Sequence, residues 1–357
     1  MKYLLNKKDK NKINYEKNKK LLNYLSLELN NSKSRIDDKC KEWDIVKKHI
    51  HDHEYVFYSS YRKKNISKVT PVSRSYFKLR EIFYEYNINI LKDSKICCLA
   101  EAPGGFIQSI FHFNPSNHNI KIYINTLLNS DKNIPLWNNI IKRYNLNYLY
   151  GKKGNGDLYD YLNCLSMINK IGKNDTYLVT GDGGFDYSSD YSKQEENSLR
   201  LIYSEIFIAL NIQKKGGIFI CKIFDTFLEK TINLLSLLNI SYEKVYIHKP
   251  KISRNSNSEK YIVCIGYKGY NKLIINKMSH GFRDSNIGIV SIDSYYDCII
   301  HYIIKYTINQ IKSINKGIDL IINKNIAKNP TLLQINEAID WCNKYKIPIN
   351  KHCMYLK

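Results

Sequence analysis

The chain has 357 residues, 43% of them hydrophobic, with Lys+Arg 55 against Asp+Glu 33 and a formal net charge of +22. That apolar content excludes a disordered chain, and the length suits one large domain with additions or two domains. A balance this basic favours a polyanionic partner, either nucleic acid or an anionic membrane surface.

Residues 1–65 read as a basic, helical extension. Met1–Lys20 holds eight lysines against Asp9 and Glu16. Leu21, Leu22, Leu25 and Leu29 follow at helical spacing, and Trp43, Ile45 and Val46 suggest a second short helix. Tyr55, Phe57, Tyr58 and Tyr61 stand just before Arg62-Lys63-Lys64. Such aromatics can stack bases beside cations that hold phosphates, or they can pack on the main domain. Pro71–Tyr86 is predicted as an amphipathic helix with Ser73 as its N-cap and Tyr76, Leu79, Phe83 and Tyr86 on one stripe. Lys78 borders that stripe, as a snorkelling lysine does.

The central region of the chain is arranged around Lys95–Phe106, KICCLAEAPGGF. Ile96–Ala100 has the character of a buried strand, Pro103-Gly104-Gly105 breaks it, and Phe106–Phe111 resumes with helical spacing. Strand, glycine turn and helix present backbone N–H groups to a ligand at the carboxyl edge of an α/β sheet. Further strands are expected at Ile120–Thr126, Leu146–Tyr150, Tyr177–Gly181, Ile218–Ile223, Tyr242–His248 and Tyr261–Gly266. Helices are expected at Leu136–Tyr144, Ser198–Ile212 and Leu228–Leu238, with Lys214-Lys215-Gly216-Gly217 closing the second of these. The Gly-rich loop Tyr150–Asp157 is either a surface turn or a loop whose Asp157 accepts hydrogen bonds from a ligand.

Asp182-Gly183-Gly184-Phe185-Asp186 begins at the carboxyl end of one strand, where open α/β sheets bind ligands. Lys222 interrupts another apolar strand, so it must lie at the exposed end, pair with a carboxylate or titrate abnormally. The loop Lys249–Ser258 is polar and basic and leads into Glu259. Alternation of strands and helices over residues 66–270 indicates a doubly wound, mostly parallel sheet, with one antiparallel strand contributed by the last pair. Residues 271–357 read as a helical annex, with helices at Asp293–Ile314 and Asn329–Tyr345, the second capped by Asn329 with Pro330 at its first position.

The nine cysteines form no CxxC pair and read as reduced thiols of an intracellular protein. The compartment could be nucleus, cytoplasm or a viral replication site. No apolar run approaches transmembrane length, and no basic amphipathic helix suits a membrane surface. No His/Cys cluster has the spacing of a metal site.

Lys78, Asp182, Lys222 and Glu259 therefore stand at the ends or edges of elements around the glycine turn. Together with their contexts (SRSYFKL, APGGF, Asp182, Lys222-Ile223-Phe224 and Lys249-Pro250 through Ser258-Glu259-Lys260-Tyr261) they resemble the FtsJ-like ribose 2′-O-methyltransferases over roughly residues 70–270. LAEAPGGF, GDGGFD and CKIFD look most like the branch that includes eukaryotic and viral mRNA cap methyltransferases. The resemblance implies a Rossmann-like seven-stranded sheet with helices on both faces and S-adenosylmethionine as methyl donor. It implies RNA, in particular the 5′ end of capped mRNA, as partner, and the four residues as a Lys–Asp–Lys–Glu catalytic tetrad.

Cofactor contacts are expected from Glu101, Ala102, Pro103, Gly104, Gly105, Phe106, Asn125, Asp157 and Asp182. Cys98 replaces the acid common at the end of the first strand, with Glu101 as its stand-in. Asn125 and Thr126 stand where an acid that binds the ribose hydroxyls is common. The family assigns proton acceptance to Lys222. A free lysine titrates near roughly 10.4, so Lys78 nearby and partial burial are expected to lower Lys222 into a useful range. The alternatives are a methyltransferase of ribosomal or transfer RNA and a non-catalytic RNA-binding subunit of the same fold.

Overall fold

The computed structural model describes residues 2–5, 15–113, 119–128, 135–184, 193–285, 296–326 and 329–356. Its centre is one sheet of strands β1 (Lys2–Leu4), β2 (Lys95–Leu99), β3 (Lys121–Ile124), β4 (Asn147–Tyr148), β5 (Thr176–Gly181), β6 (Gln213–Ile223), β7 (Tyr242–His248) and β8 (Lys260–Tyr267). Their order is β1-β7-β8-β6-β5-β2-β3-β4. β2 pairs in parallel with β3 and β5, β3 with β4, and β5 with β6. β8 runs antiparallel between β6 and β7.

All seven expected strands are present. The eighth, β1, corrects the purely helical reading of residues 1–65. It pairs antiparallel with β7 and satisfies backbone groups that an edge strand would leave open. Three residues are too short to leave an alternating pattern in a lysine-rich stretch.

The helices are α1 (Tyr15–Ser34), α2 (Cys40–His49), α3 (Ser75–Glu85), α4 (Gly105–Phe113), α5 (Tyr161–Ile171), α6 (Gln194–Ile212), α7 (Glu229–Ser241), α8 (Lys272–His280), α9 (Tyr296–Ile322) and α10 (Leu332–Lys344). Strand alternation sorts the side chains between two faces. Cys97, Leu99, Val179, Phe219, Cys221 and Cys264 face the core shared with α5, α6 and α7. Ile96, Cys98, Ile122, Leu178, Ile220 and Val263 face α3 and α4.

Several local expectations change. Leu136–Tyr144 forms only a short 3-10 turn at Ile141–Arg143, because Trp137 and Ile141 are buried while Leu136 and Ile140 face solvent. Ser73 is not the cap of α3, which starts at Ser75; the Ser73 and Ser75 hydroxyls bond each other at 2.6 Å. Lys214–Gly217 do not close α6. They open β6, and Gly216 at φ 79° lies where the β5–β6 register shifts, a bulge position that suits glycine. Thr331 rather than Asn329 caps α10, in a reciprocal capping box with Gln334. α9 extends well past Ile314, and its predicted start at Asp293 lies outside the described residues, as do Phe185 and Asp186. α8 carried no expectation.

The two extensions pack on each other. Leu29, Trp43 and Val46 cluster with Ile314 and Ile318 of α9. The Trp43 ring occupies the space a Cβ on Gly317 would need, 2.5 Å from its Cζ3. α10 packs through Trp341 and Tyr345 on Tyr55, Tyr76 and Phe77, and Ser67 bridges Ile349. Tyr55 stacks on Tyr58 at 5.0 Å and meets Tyr355 edge-on, so packing accounts for it. Tyr61 remains exposed. Among the described residues no helix is long and apolar enough to cross a membrane.

Candidate active site

Strand order reverses between β2 and β5, and ligands of open α/β sheets bind beyond the carboxyl ends of strands at such a point. β2 ends at Leu99, and the chain turns sharply: Ala100 has φ 49° and Gly104 φ 109°. A Cβ on Gly104 would sit 2.5 Å from Ile141 Cγ1, and one on Gly105 would strike the Ser73 and Ser75 hydroxyls. Close packing therefore requires both glycines, and α4 starts at the second.

Lys78 comes from α3, Asp182 from the residue after β5, Lys222 from the end of β6 and Glu259 from the residue before β8. Lys78 Nζ donates to Glu259 Oε2 at 2.7 Å. Lys222 Nζ donates to the Asp182 carbonyl at 2.7 Å and lies 3.4 Å from Asp182 Oδ1. The four expected residues thus meet as two ion pairs, each side chain between 11% and 15% exposed. Burial alone would raise Glu259, but the charges of Lys78 and Lys222 bring its carboxyl down to about 2. Glu259 is therefore a carboxylate at any pH near neutrality.

Lys222 departs from expectation. Burial presses its ammonium downward, as anticipated, but Asp182, Glu259 and Glu205 together outweigh that and leave it above its ordinary value. Lys78 is itself paired with Glu259. Lys222 rests as an ammonium ion in this arrangement.

Two hydroxyl groups hold the acids, and neither carried a functional expectation. Tyr261 donates to Asp182 Oδ1 at 2.7 Å, and Ser253 donates to Glu259 Oε1 at 2.8 Å. Tyr261 lies two residues after Glu259, so strand alternation puts both on one face; that was the available signal. The loop Lys249–Ser258 is not a solvated turn. Lys249 is buried and donates to the Asn257 and Glu259 carbonyls at 2.6 and 2.8 Å, and Arg254 donates to Glu54 of the N-terminal extension.

The cofactor candidates divide. Glu101 is buried at the turn: its Oε1 accepts the Phe106 N–H at 2.7 Å, and its Oε2 has no partner. Burial, then the Asp182 charge, pushes its carboxyl well above the usual range, so it carries a proton. Ala102 and Pro103 are half-buried beside Gly104, Gly105 and Phe106. Asp157 is half-buried and accepts the Tyr159 N–H at 2.8 Å. Asn125 differs from expectation. It is fully buried, its amide donates to the Leu149 and Gly156 carbonyls at 3.0 Å each, and its carbonyl accepts from Ala100 N–H at 3.2 Å. Its side chain braces the wall of the crevice.

Known proteins resemble this chain over the same region. The model of a family described as FtsJ-like methyltransferase matches residues 71–267, over half of the chain. The cap-specific mRNA (nucleoside-2′-O-)-methyltransferase 2 of Drosophila melanogaster is 31% identical over 254 residues, covering 67% of this chain and 36% of that protein. The corresponding methyltransferase 1 of Caenorhabditis elegans is 27% identical over 235 residues, covering 65% and 24%. The methyltransferase 2 of Pongo abelii is 29% identical over 284 residues, covering 72% and 36%. The chain spans about a quarter to a third of the length of these curated relatives.

Proposed function

The chain belongs to the FtsJ-like methyltransferase family, and from that premise we propose that it transfers a methyl group from S-adenosylmethionine to a ribose 2′-OH of a cap-proximal nucleotide of mRNA. The observation that carries this reading is the meeting of the Lys78–Glu259 and Lys222–Asp182 pairs at the carboxyl edge of the sheet. The names of the relatives support capped mRNA as the substrate, and a net charge of +22 suits a polyanion.

The glycine turn fits the donor. α4 starts at Gly105, which sets its N-terminal backbone N–H groups at the turn, and Glu101 Oε2, buried without a partner, awaits an acceptor or donor. Glu101, Ala102 through Phe106 and Asp182 would hold it, with Asp157 at the rim. When bound, it supplies an electrophilic methyl group on a positively charged sulfur.

The chain's own residues supply the rest. A ribose hydroxyl is a weak nucleophile until its proton leaves. Lys222 is the acceptor, and positive charge brought near the turn opposes the carboxylates that keep it protonated. Its Nζ is aimed by the Asp182 carbonyl. Lys78 and Glu259, locked together and steadied by Ser253, orient the hydroxyl. In-line placement of hydroxyl and methyl provides much of the acceleration.

The test is methyl transfer from labelled S-adenosylmethionine to short RNAs bearing a guanosine cap, an N7-methylguanosine cap or a 5′-triphosphate, with nuclease mapping. Label on a cap-proximal ribose, only with capped RNA, is expected. Label on uncapped structured RNA instead would replace mRNA by ribosomal or transfer RNA as substrate. No label, with cofactor bound, would overturn the catalytic reading for these RNAs.

A further inference from the structure

One acid beside the tetrad has no part in that chemistry. Glu205 projects from the buried face of α6 and is 1% exposed. Its carboxyl group fills the side-chain space of Gly181 and, together with Leu201, that of Gly183, the two residues that flank Asp182. A Cβ on Gly181 would lie 2.6 Å from its Cδ, and one on Gly183 would lie 3.0 Å from its Oε1. On the other side the Cys221 thiol, one residue before Lys222, donates to Oε2 at 3.2 Å. Oε1 lies against the Gly183 backbone without a well-formed hydrogen bond. The ionisable groups facing this carboxyl are Asp182 from the end of β5, Cys221 and Lys222 from β6, and Glu101 from the turn after β2.

We propose that Glu205 is a positioning residue of the tetrad. Uncharged, it seats the Asp182 turn against β6. On losing its proton to solvent it becomes a third carboxylate beside Lys222 and holds that lysine in its ammonium form.

The electrostatics agree with the geometry. Burial raises Glu205 to about 8, against the opposing pull of Cys221 and Lys222, so the neutral acid predominates at neutral pH. Glu205 is in turn one of three carboxylates that raise Lys222. Ionisation of Glu205 and deprotonation of Lys222 therefore oppose each other as pH rises. This rests on Lys222 acting as the proton acceptor.

Glu205→Gln keeps the shape and removes the titration. In the full chain with lysine labelled by carbon-13, the Lys222 signal, assigned by its absence in Lys222→Ala, is expected to shift with an inflection near the Glu205 value in the wild type. In Glu205→Gln that inflection disappears and Lys222 deprotonates at lower pH. Methyl transfer by Glu205→Gln is expected to exceed the wild type several-fold at alkaline pH, where the wild-type profile flattens. The same Lys222 titration in both proteins overturns the proposal. If Glu205→Gln does not fold, a wild-type Lys222 signal without the inflection overturns it alone. An inflection without methyl transfer to any RNA sinks the functional reading and leaves the linkage standing; methyl transfer without an inflection does the reverse.

Discussion

The crevice and the seam where the two extensions meet the central domain both bury acids, but they treat them differently. At the seam, Glu54 is fully buried and binds Arg254 through both oxygens at 2.6 and 2.9 Å, with Arg74 at 3.5 Å. Asp225 accepts from Lys33 at 2.8 Å and Ser258 at 2.9 Å, with Lys260 3.7 Å away. Burial would raise it, yet Lys33 and Lys260 bring it down to about 2. Glu81 takes the Lys251 N–H at 2.7 Å and the Trp341 Nε1–H at 2.9 Å. In the crevice, Glu101 and Glu205 each keep one oxygen without a partner, and both are pushed upward. Burial is comparable; the supply of donors is not. A buried acid surrounded by donors is a fixed charge that joins elements, whereas one short of donors keeps its proton and responds to whatever enters.

The largest expected effect breaks the crevice alone. Lys222→Ala should lower methyl transfer by roughly 10²–10⁴-fold, with cofactor affinity near the wild-type value by calorimetry; wild-type turnover would remove Lys222 from the acceptor role. The counterpart at the seam is Glu54→Ala, which strands Arg254 and should cost about 3–5 kcal/mol of stability. Denaturant unfolding with an unchanged midpoint would show that the seam needs no such charge.

A milder change sharpens the contrast. A Cβ on Gly184 would lie 3.1 Å from Lys222 Nζ, so Gly184→Ala should slow turnover roughly tenfold by displacing that amine while leaving the melting temperature unmoved. A drop in both would place Gly184 with the scaffold.

The smallest effect concerns Ser253→Ala, which removes one donor from Glu259 and should cost about 1 kcal/mol. The sign with pH is definite. Glu259 is depressed in the folded chain, so its contribution is complete above its unfolded value and fades as pH falls toward about 2. Ser253→Ala should therefore unfold at a slightly higher pH on acidification; the same acid midpoint in both proteins would show that Ser253 adds nothing to this pair.

The tetrad could be read from the chain because each member interrupts an apolar pattern or ends an element, as Lys222 does in IFICKI. The ionisation of Lys222 could not, because it depends on Asp182, Glu259 and Glu205, three acids from separate elements. Glu205 sits among inward-facing residues of a long helix, and an acid between Leu201, Ile202 and Ile206 is the pattern that marks it in the sequence. Asn125 holds the expected strand-end position, but only the path of the loop at residues 149–156 reveals that its amide is already engaged. At Leu136–Tyr144 apolar spacing mimics a helix, while burial of Trp137 and Ile141 requires only a turn beside Gly104. Local patterns thus located elements and charges, and long-range contacts decided their state.

The Trp43 ring seated at Gly317 joins positions from opposite ends of the chain. A glycine inside α9 weakens that helix relative to alanine by roughly 1 kcal/mol, and any side chain there collides with the indole. Neither position can drift alone. A larger residue at 317 becomes acceptable only after Trp43 has shrunk, so across descendants of this gene the two should change as a pair, an inherited correlation spanning most of the sequence.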